Sequence, residues 1–171
     1  MQGKYYYLVA SLPYLKFGDK KFPTRELFLE ECRKWLNEAE IRAFSEMNIE
    51  DPTPSPGDTD LAGRWKSFDA EIRTILAGIR GGDSRGSLKE NIYFSKNNIE
   101  GKDPLAAEKA IEKVRWDFTE GEEYKHMFDA DWLTLYWIKI QILERLARFE
   151  KEKGKNIFET LCGVKNEQKD R

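Results

Sequence analysis

The sequence predicts an all-α domain in which helical hairpins pack around a long central helix. Three observations carry that expectation. Leu61, Trp65, Phe68, Ile72, Ile75 and Ile79 step by four, three, four, three and four, which places them on one stripe of a helix. Helix-start residues stand where other apolar faces begin: Thr24, Asn37 with Glu40 three residues on, and Asp103 directly before Pro104. Between Trp132 and Leu143 only Thr134, Lys139 and Gln141 are neither apolar nor aromatic. A helix apolar nearly all round must be enclosed by its neighbours.

The elements follow in order. Residues 5–12 carry strand-favouring Tyr and Val, yet Tyr5, Leu8, Val9 and Leu12 share one helical face. The helical reading is taken here, with Pro13 as its end. A helix over 24–36 presents Phe28, Cys32 and Trp35 on its apolar side, a spacing that Ala39 continues, with Thr24 as cap. A short helix after Asn37 buries Ile41, Phe44 and Met47, and the two form a hairpin. Prolines at 52, 54 and 56 make 50–60 a Pro-rich linker. Asp60 caps the stripe helix, which runs to about Ile79 and gives way to a glycine loop at 81–87. The helix begun at Asp103-Pro104 faces inward with Leu105, Ile111, Val114 and Phe118, and Gly121 interrupts it. Asp129 or Asp131 caps the central helix, expected to reach Lys153 with Gly154 as its stop. A short helix at 156–162 and a frayed polar tail at 166–171 complete a single domain over 1–165.

Composition narrows the function. The 171 residues are 40% hydrophobic and 35% charged, too apolar for disorder and too charged for a membrane protein. Lys plus Arg is 29 against 31 acids, a net charge of −2, so no nucleic-acid partner is expected. No apolar run is long enough for direct membrane insertion, and the first residues lack a signal-peptide pattern. A cytoplasmic location is the default. Cys32 and Cys162 make no disulfide framework, and His126 is the single histidine.

Candidate chemistry is sparse. Gly81, Gly86 and Ser87 have the spacing of a phosphate loop but lack its lysine and its preceding strand. Glu123 and His126 have the i, i+3 spacing of carboxylate-bridged di-metal bundles, which need a second such pair. Asp129 and Asp131 read as helix caps. A small metal-dependent enzyme using Glu123, His126, Asp129 and Asp131 is therefore a rival reading. Cys32 lies on an apolar face as a core thiol, and Cys162 has no visible activating base. The expectation is no enzyme activity, no cofactor, no metal and no small-molecule substrate. Five tryptophans are many for this length, and an exposed one would mark a partner surface. Arg73 and Arg80 stand seven apart on nearly the same helical face.

Three stretches carry a family resemblance. They are Tyr5-Tyr6-Tyr7-Leu8-Val9-Ala10-Ser11-Leu12-Pro13 with Phe17, then Phe68 to Arg80, then Asp103-Pro104-Leu105 with Glu108, Val114-Arg115-Trp116, Phe128-Asp129-Ala130-Asp131 and Lys139 to Arg145. In this order they resemble a little-characterised bacterial family encoded among V-type ATPase genes. That family is distantly similar to the V/A-type ATPase subunit called C in bacteria and archaea and d in eukaryotes, an all-helical funnel that seats the central stalk on the membrane ring. The resemblance implies a fold similar to part of that funnel. It implies a non-catalytic role in ion or proton transport, coupling the soluble central stalk to the membrane rotor ring. Its partners would be the V-type ATPase proteins of stalk and ring, and it would be held peripherally at the inner membrane through the complex. Arg73, Arg80 and Arg85, beside the glycine loop, are the expected contact face. The alternative is a free-standing cytosolic helical adaptor.

Overall fold

A computed structural model describes residues 3–51, 53–55, 57–80 and 103–149. Six helices fill this part, and no strand occurs among the described residues. They are α1 (Gly3–Ser11), α2 (Arg25–Arg33), α3 (Glu38–Ser45), α4 (Asp60–Arg80), α5 (Pro104–Glu123) and α6 (Ala130–Arg148). The all-α expectation holds, and residues 5–11 are helical.

Most starts are set by side chains that accept from free amides of the first turn. Thr24 accepts from Leu27 N in α2. Asn37 and Glu40 form a reciprocal capping box on α3. Asp103 accepts from Leu105 N and Ala106 N, with Pro104 at the first helical position. Asp129 accepts from Trp132 N at the start of α6. The cap of α4 corrects the sequence expectation. Thr59 Oγ1 accepts from Ala62 N at 3.2 Å, while Asp60 is already helical and pairs with Arg64 at 3.2 Å.

Four further expectations need correction. The first hairpin helix is shorter than 24–36, ending at Arg33 with Lys34 as its C-cap. Gly121 does not interrupt α5, which runs on to Glu123. One interior glycine costs about 1 kcal/mol, and packing on two sides of α5 outweighs that. Leu105 and Trp35 are exposed rather than core. The central helix, expected to reach Lys153, ends at Arg148 with Phe149 as its C-cap. The expected stop at Gly154, the helix at 156–162 and the polar tail lie outside the described residues, as do the glycine loop and Cys162.

The packing centres on α5 and α6. They run antiparallel: Glu108 and Glu112 face Arg145, while Trp116 and Glu123 face Lys139. On its other side α5 meets α4, where Phe68 and Phe118 stack with centroids 4.3 Å apart and Trp65 meets Phe118 at 5.6 Å. The α2–α3 hairpin covers α6, with Phe28 against Tyr136 at 5.2 Å and Phe44 against Trp137 at 6.3 Å. Every residue from Leu133 to Leu143 is consequently buried. Its three polar members all find partners, as burial demands. Thr134 donates to Ala130 O, Gln141 donates to Met47 O and accepts from Ile49 N, and Lys139 pairs with Glu123.

The connections are tied down. In the 15–19 turn Lys16 N donates to Asp19 Oδ2 at 2.8 Å. Gly18 has φ +80° there, a left-handed conformation that glycine adopts without steric cost. The Pro-rich stretch is anchored where Lys66 Nζ bonds both Asp58 oxygens, at 2.7 and 2.8 Å. Burial pushes the Asp58 carboxyl up, but Lys66 and the Ser55 amide outweigh it and hold it below its ordinary value.

Candidate functional site

Charge is buried on one side of α5. Asp69 on α4 and Glu112 on α5 are fully buried, and Arg115 is nearly so. Arg115 Nη2 lies 2.7 Å from Asp69 Oδ1, and its Nη1 lies 2.6 Å from Glu112 Oε1. Arg145 of α6 reaches the same Glu112 oxygen at 3.1 Å. Burial pushes the Glu112 carboxyl up, against the pull of Arg115 and Arg145. Burial works against the Arg115 charge, but Glu112 and Asp69 outweigh it and raise its pKa. This seam joins three helices. One sequence signal pointed to it: Asp69 sits inside the apolar stripe, next to Phe68 and three residues before Ile72.

Arg73 extends the seam. Its Nε donates to Asp69 Oδ2 at 2.7 Å, and its Nη2 donates to the carbonyls of Ile49 and Glu50 at 3.1 and 3.3 Å. It clamps the 49–50 corner onto α4. The side chain of Arg80 and all of Arg85 lie outside the described residues.

Aromatic side chains gather at the opposite kind of place, the surface. Three successive tyrosines on α1 must point in different directions. Tyr5 turns inward and packs against the core. Tyr6 and Tyr7 are 52% and 59% exposed. Tyr7 stacks on Trp35 at 5.7 Å, meets Tyr6 edge-on at 5.7 Å, and Tyr6 meets Phe128 at 4.9 Å. Trp35, Tyr7, Tyr6 and Phe128 thus form one continuous row of exposed rings across α1, the end of α2 and the α5–α6 turn. Phe128 has φ 57°, a left-handed backbone that costs a bulky residue about 1 kcal/mol or more. Such strain concentrates at functional positions.

A cavity of about 550 Å³ opens beside Phe128, walled by Tyr14, Tyr124, Trp132, Glu120, Glu123 and His126, among others. A smaller one of about 230 Å³ shares Tyr14, Glu123 and Trp132 with it and reaches Tyr136 and Lys139. Lys139 is buried, 2.6 Å from Glu123 Oε1 and 4.9 Å from the centroid of the Trp116 ring. The Tyr136 hydroxyl donates to Pro13 O at 2.8 Å, and burial pushes its pKa up, so it stays a donor. Glu120 accepts from the Trp116 indole N–H at 2.8 Å. His126 Nδ1 lies 3.1 Å from Asp129 and 3.6 Å from Asp131, while its Nε2 is buried with no hydrogen-bond partner.

The metal set of the rival reading does not converge. Glu123 turns to Lys139, and Asp129 caps α6 through its other oxygen. Among the described residues no three metal-ligating side chains cluster. Cys32 is a core thiol, and burial pushes its pKa up to about 12. The aromatic row was foreshadowed by the Tyr-rich start and the surplus of tryptophan. Its assembly from three distant segments had no linear signal.

Here the architecture defines a class: an all-helical protein whose described helices are none of them long and apolar enough to cross a membrane. Residues 88–167 match a family described as a protein of unknown function, DUF2764. That match covers somewhat under half of the chain and includes α5 and α6. No curated protein and no solved structure matches the chain.

Proposed function

We propose that the protein is a non-catalytic helical coupling or accessory part of a V/A-type ATPase, acting by docking between the soluble stalk and the membrane ring. The exposed row Trp35–Tyr7–Tyr6–Phe128 carries the docking reading. Tyrosine and tryptophan anchor protein interfaces because each removes a large area from water while ordering few torsions. The strained backbone at Phe128 supports it, since an outward task explains a phenyl ring held there. The assignment to a rotary ATPase rests on the resemblance of the Tyr-rich start and the Lys139-to-Arg145 helix. A coupling part must resist deformation under torque. The enclosed α6 and the ionic seam linking α4, α5 and α6 suit that demand.

The test is co-purification from the source cell in salt low enough to spare charged contacts. Stalk or ring proteins recovered at near-equal stoichiometry, and lost with the double variant Y7A/W35A, are the expected result. Recovery of no ATPase component would return the protein to the free-standing adaptor reading.

A further inference from the structure

We infer that the cavity beside Phe128 receives a lysine or arginine side chain of the docking partner. The inference rests on the reading of the aromatic row as a docking surface, and not on which complex the partner belongs to.

The wall chemistry selects a cation. Tyr14, Tyr124, Phe128 and Trp132 supply aromatic rings, whose electron-rich faces attract ammonium and guanidinium groups. Two carboxylates stand among them, and they are not equivalent. Glu123 is neutralised by Lys139 at 2.6 Å. Glu120 accepts from the neutral indole N–H of Trp116 and forms no salt bridge among the described residues, so its charge is less fully answered than that of Glu123. The cavity also lies at the C-terminal end of α5, where helix carbonyls favour positive charge. The positive start of α6 is already answered by the Asp129 cap.

The same walls ask for N–H donors. In the neutral ring whose Nδ1–H points at Asp129, 3.1 Å away, Nε2 carries a lone pair and accepts. That atom is buried, unpartnered and part of a residue lining the cavity. A quaternary ammonium has no hydrogen to offer it. Lysine and arginine do, and arginine presents five N–H donors in a fixed fork.

Size and continuity favour a side chain on a polypeptide over a free amine. About 550 Å³ is far more than one ammonium fills, and is in the range that holds a side chain with its flanks. Phe128 belongs to both the cavity wall and the ring row. A partner segment can therefore place its cation in the cavity and lay apolar residues along Tyr6, Tyr7 and Trp35.

The experiment titrates the full chain with N-acetyl-arginine methylamide, read by tryptophan fluorescence and by NMR shifts of the Trp132 and Tyr124 rings. N-acetyl-glutamine methylamide and tetramethylammonium are the comparators. We expect saturable binding in the millimolar range for the blocked arginine, as suits so small a fragment. E120Q keeps an acceptor for the Trp116 indole, so it should leave the melting temperature unchanged and weaken binding about fivefold. Y124A, at a residue 89% exposed, removes one wall without touching the core and should weaken binding about threefold. Equal binding of the blocked glutamine, or no effect of either variant, overturns the proposal. Binding of tetramethylammonium alone overturns it in favour of a free organic cation. A failed ATPase co-purification beside a successful titration removes the complex and keeps the cavity. The reverse result removes only the cavity.

Discussion

The ionic seam and the aromatic row invert the usual partition of side chains in opposite ways. In the seam, Asp69, Glu112 and Arg115 are charged and buried; in the row, Tyr6, Tyr7, Trp35 and Phe128 are aromatic and exposed. The seam is closed within the molecule. Each charge meets an opposite charge within 3.1 Å, and three helices share the network. The row is closed only on itself: each ring touches a neighbour and leaves a face to solvent. A buried charge answered internally speaks of architecture. An apolar surface answered by nothing among the described residues speaks of a partner. The two regions should respond to mutation in opposite ways, stability in one and association in the other.

The hardest blow to the seam is R115A. It leaves Asp69 and Glu112 buried without their shared cation, and should cost about 3–5 kcal/mol in urea unfolding. Co-purification per folded molecule should persist. E112Q should cost less, because Arg115 keeps Asp69 and Arg145 keeps Glu108 at 3.8 Å. Its cost should also depend on pH with a definite sign. Burial raises the Glu112 carboxyl above its ordinary 4.5 in spite of Arg115 and Arg145. The folded chain then holds this proton where the unfolded chain has lost it. Its stabilising contribution is full below 4.5 and falls as pH rises through the folded value. Glutamine does not titrate, so the stability gap between wild type and E112Q should narrow as pH rises above 4.5. A gap that widens over that range would refute the assignment.

Q141L tests the clamp between α6 and the residues after α3. It strands Ile49 N, and should cost about 1–3 kcal/mol by the same unfolding measurement. The variants of the row should be milder in stability and severe in association. Y7A/W35A removes one exposed stack and should lower stability by ~1 kcal/mol or less, while abolishing co-purification. F128G is the smallest effect and the sharpest separation of the two regions. It relieves a left-handed backbone at φ 57°, so stability should stay level or rise by up to ~1 kcal/mol. Association should fall, because the ring is gone. A marked loss of stability in F128G would show that Phe128 belongs to the core and not to a docking face.

Legibility followed the range of the physics. The apolar stripe of α4 and the caps Thr24, Asn37, Asp103 and Asp129 act within a helical turn, and their effects were readable in order. The enclosure of α6 was readable because eleven successive residues admit few polar groups. Where two neighbouring residues both favour a cap, as Thr59 and Asp60 do, local preference cannot choose between them. Arg64, one turn on, engages Asp60 and leaves Thr59 to cap. Gly121 carries a local penalty that packing from α4 and α6 overrides. Arg73 was legible as a cation on a helix face. Its engagement with Asp69 and the 49–50 carbonyls depends on a corner more than twenty residues away.

The sequence by itself therefore determined the helical class, most helix starts and the central place of α6, because hydrogen bonding and amphipathic period are local and repeat along the chain. Only the tertiary structure decided which tyrosine of three faces inward, which tryptophan is left at the surface, and where Asp69, Arg115, Glu112 and Arg145 meet. Those outcomes depend on distances between segments that lie tens of residues apart, and linear spacing holds no record of such distances.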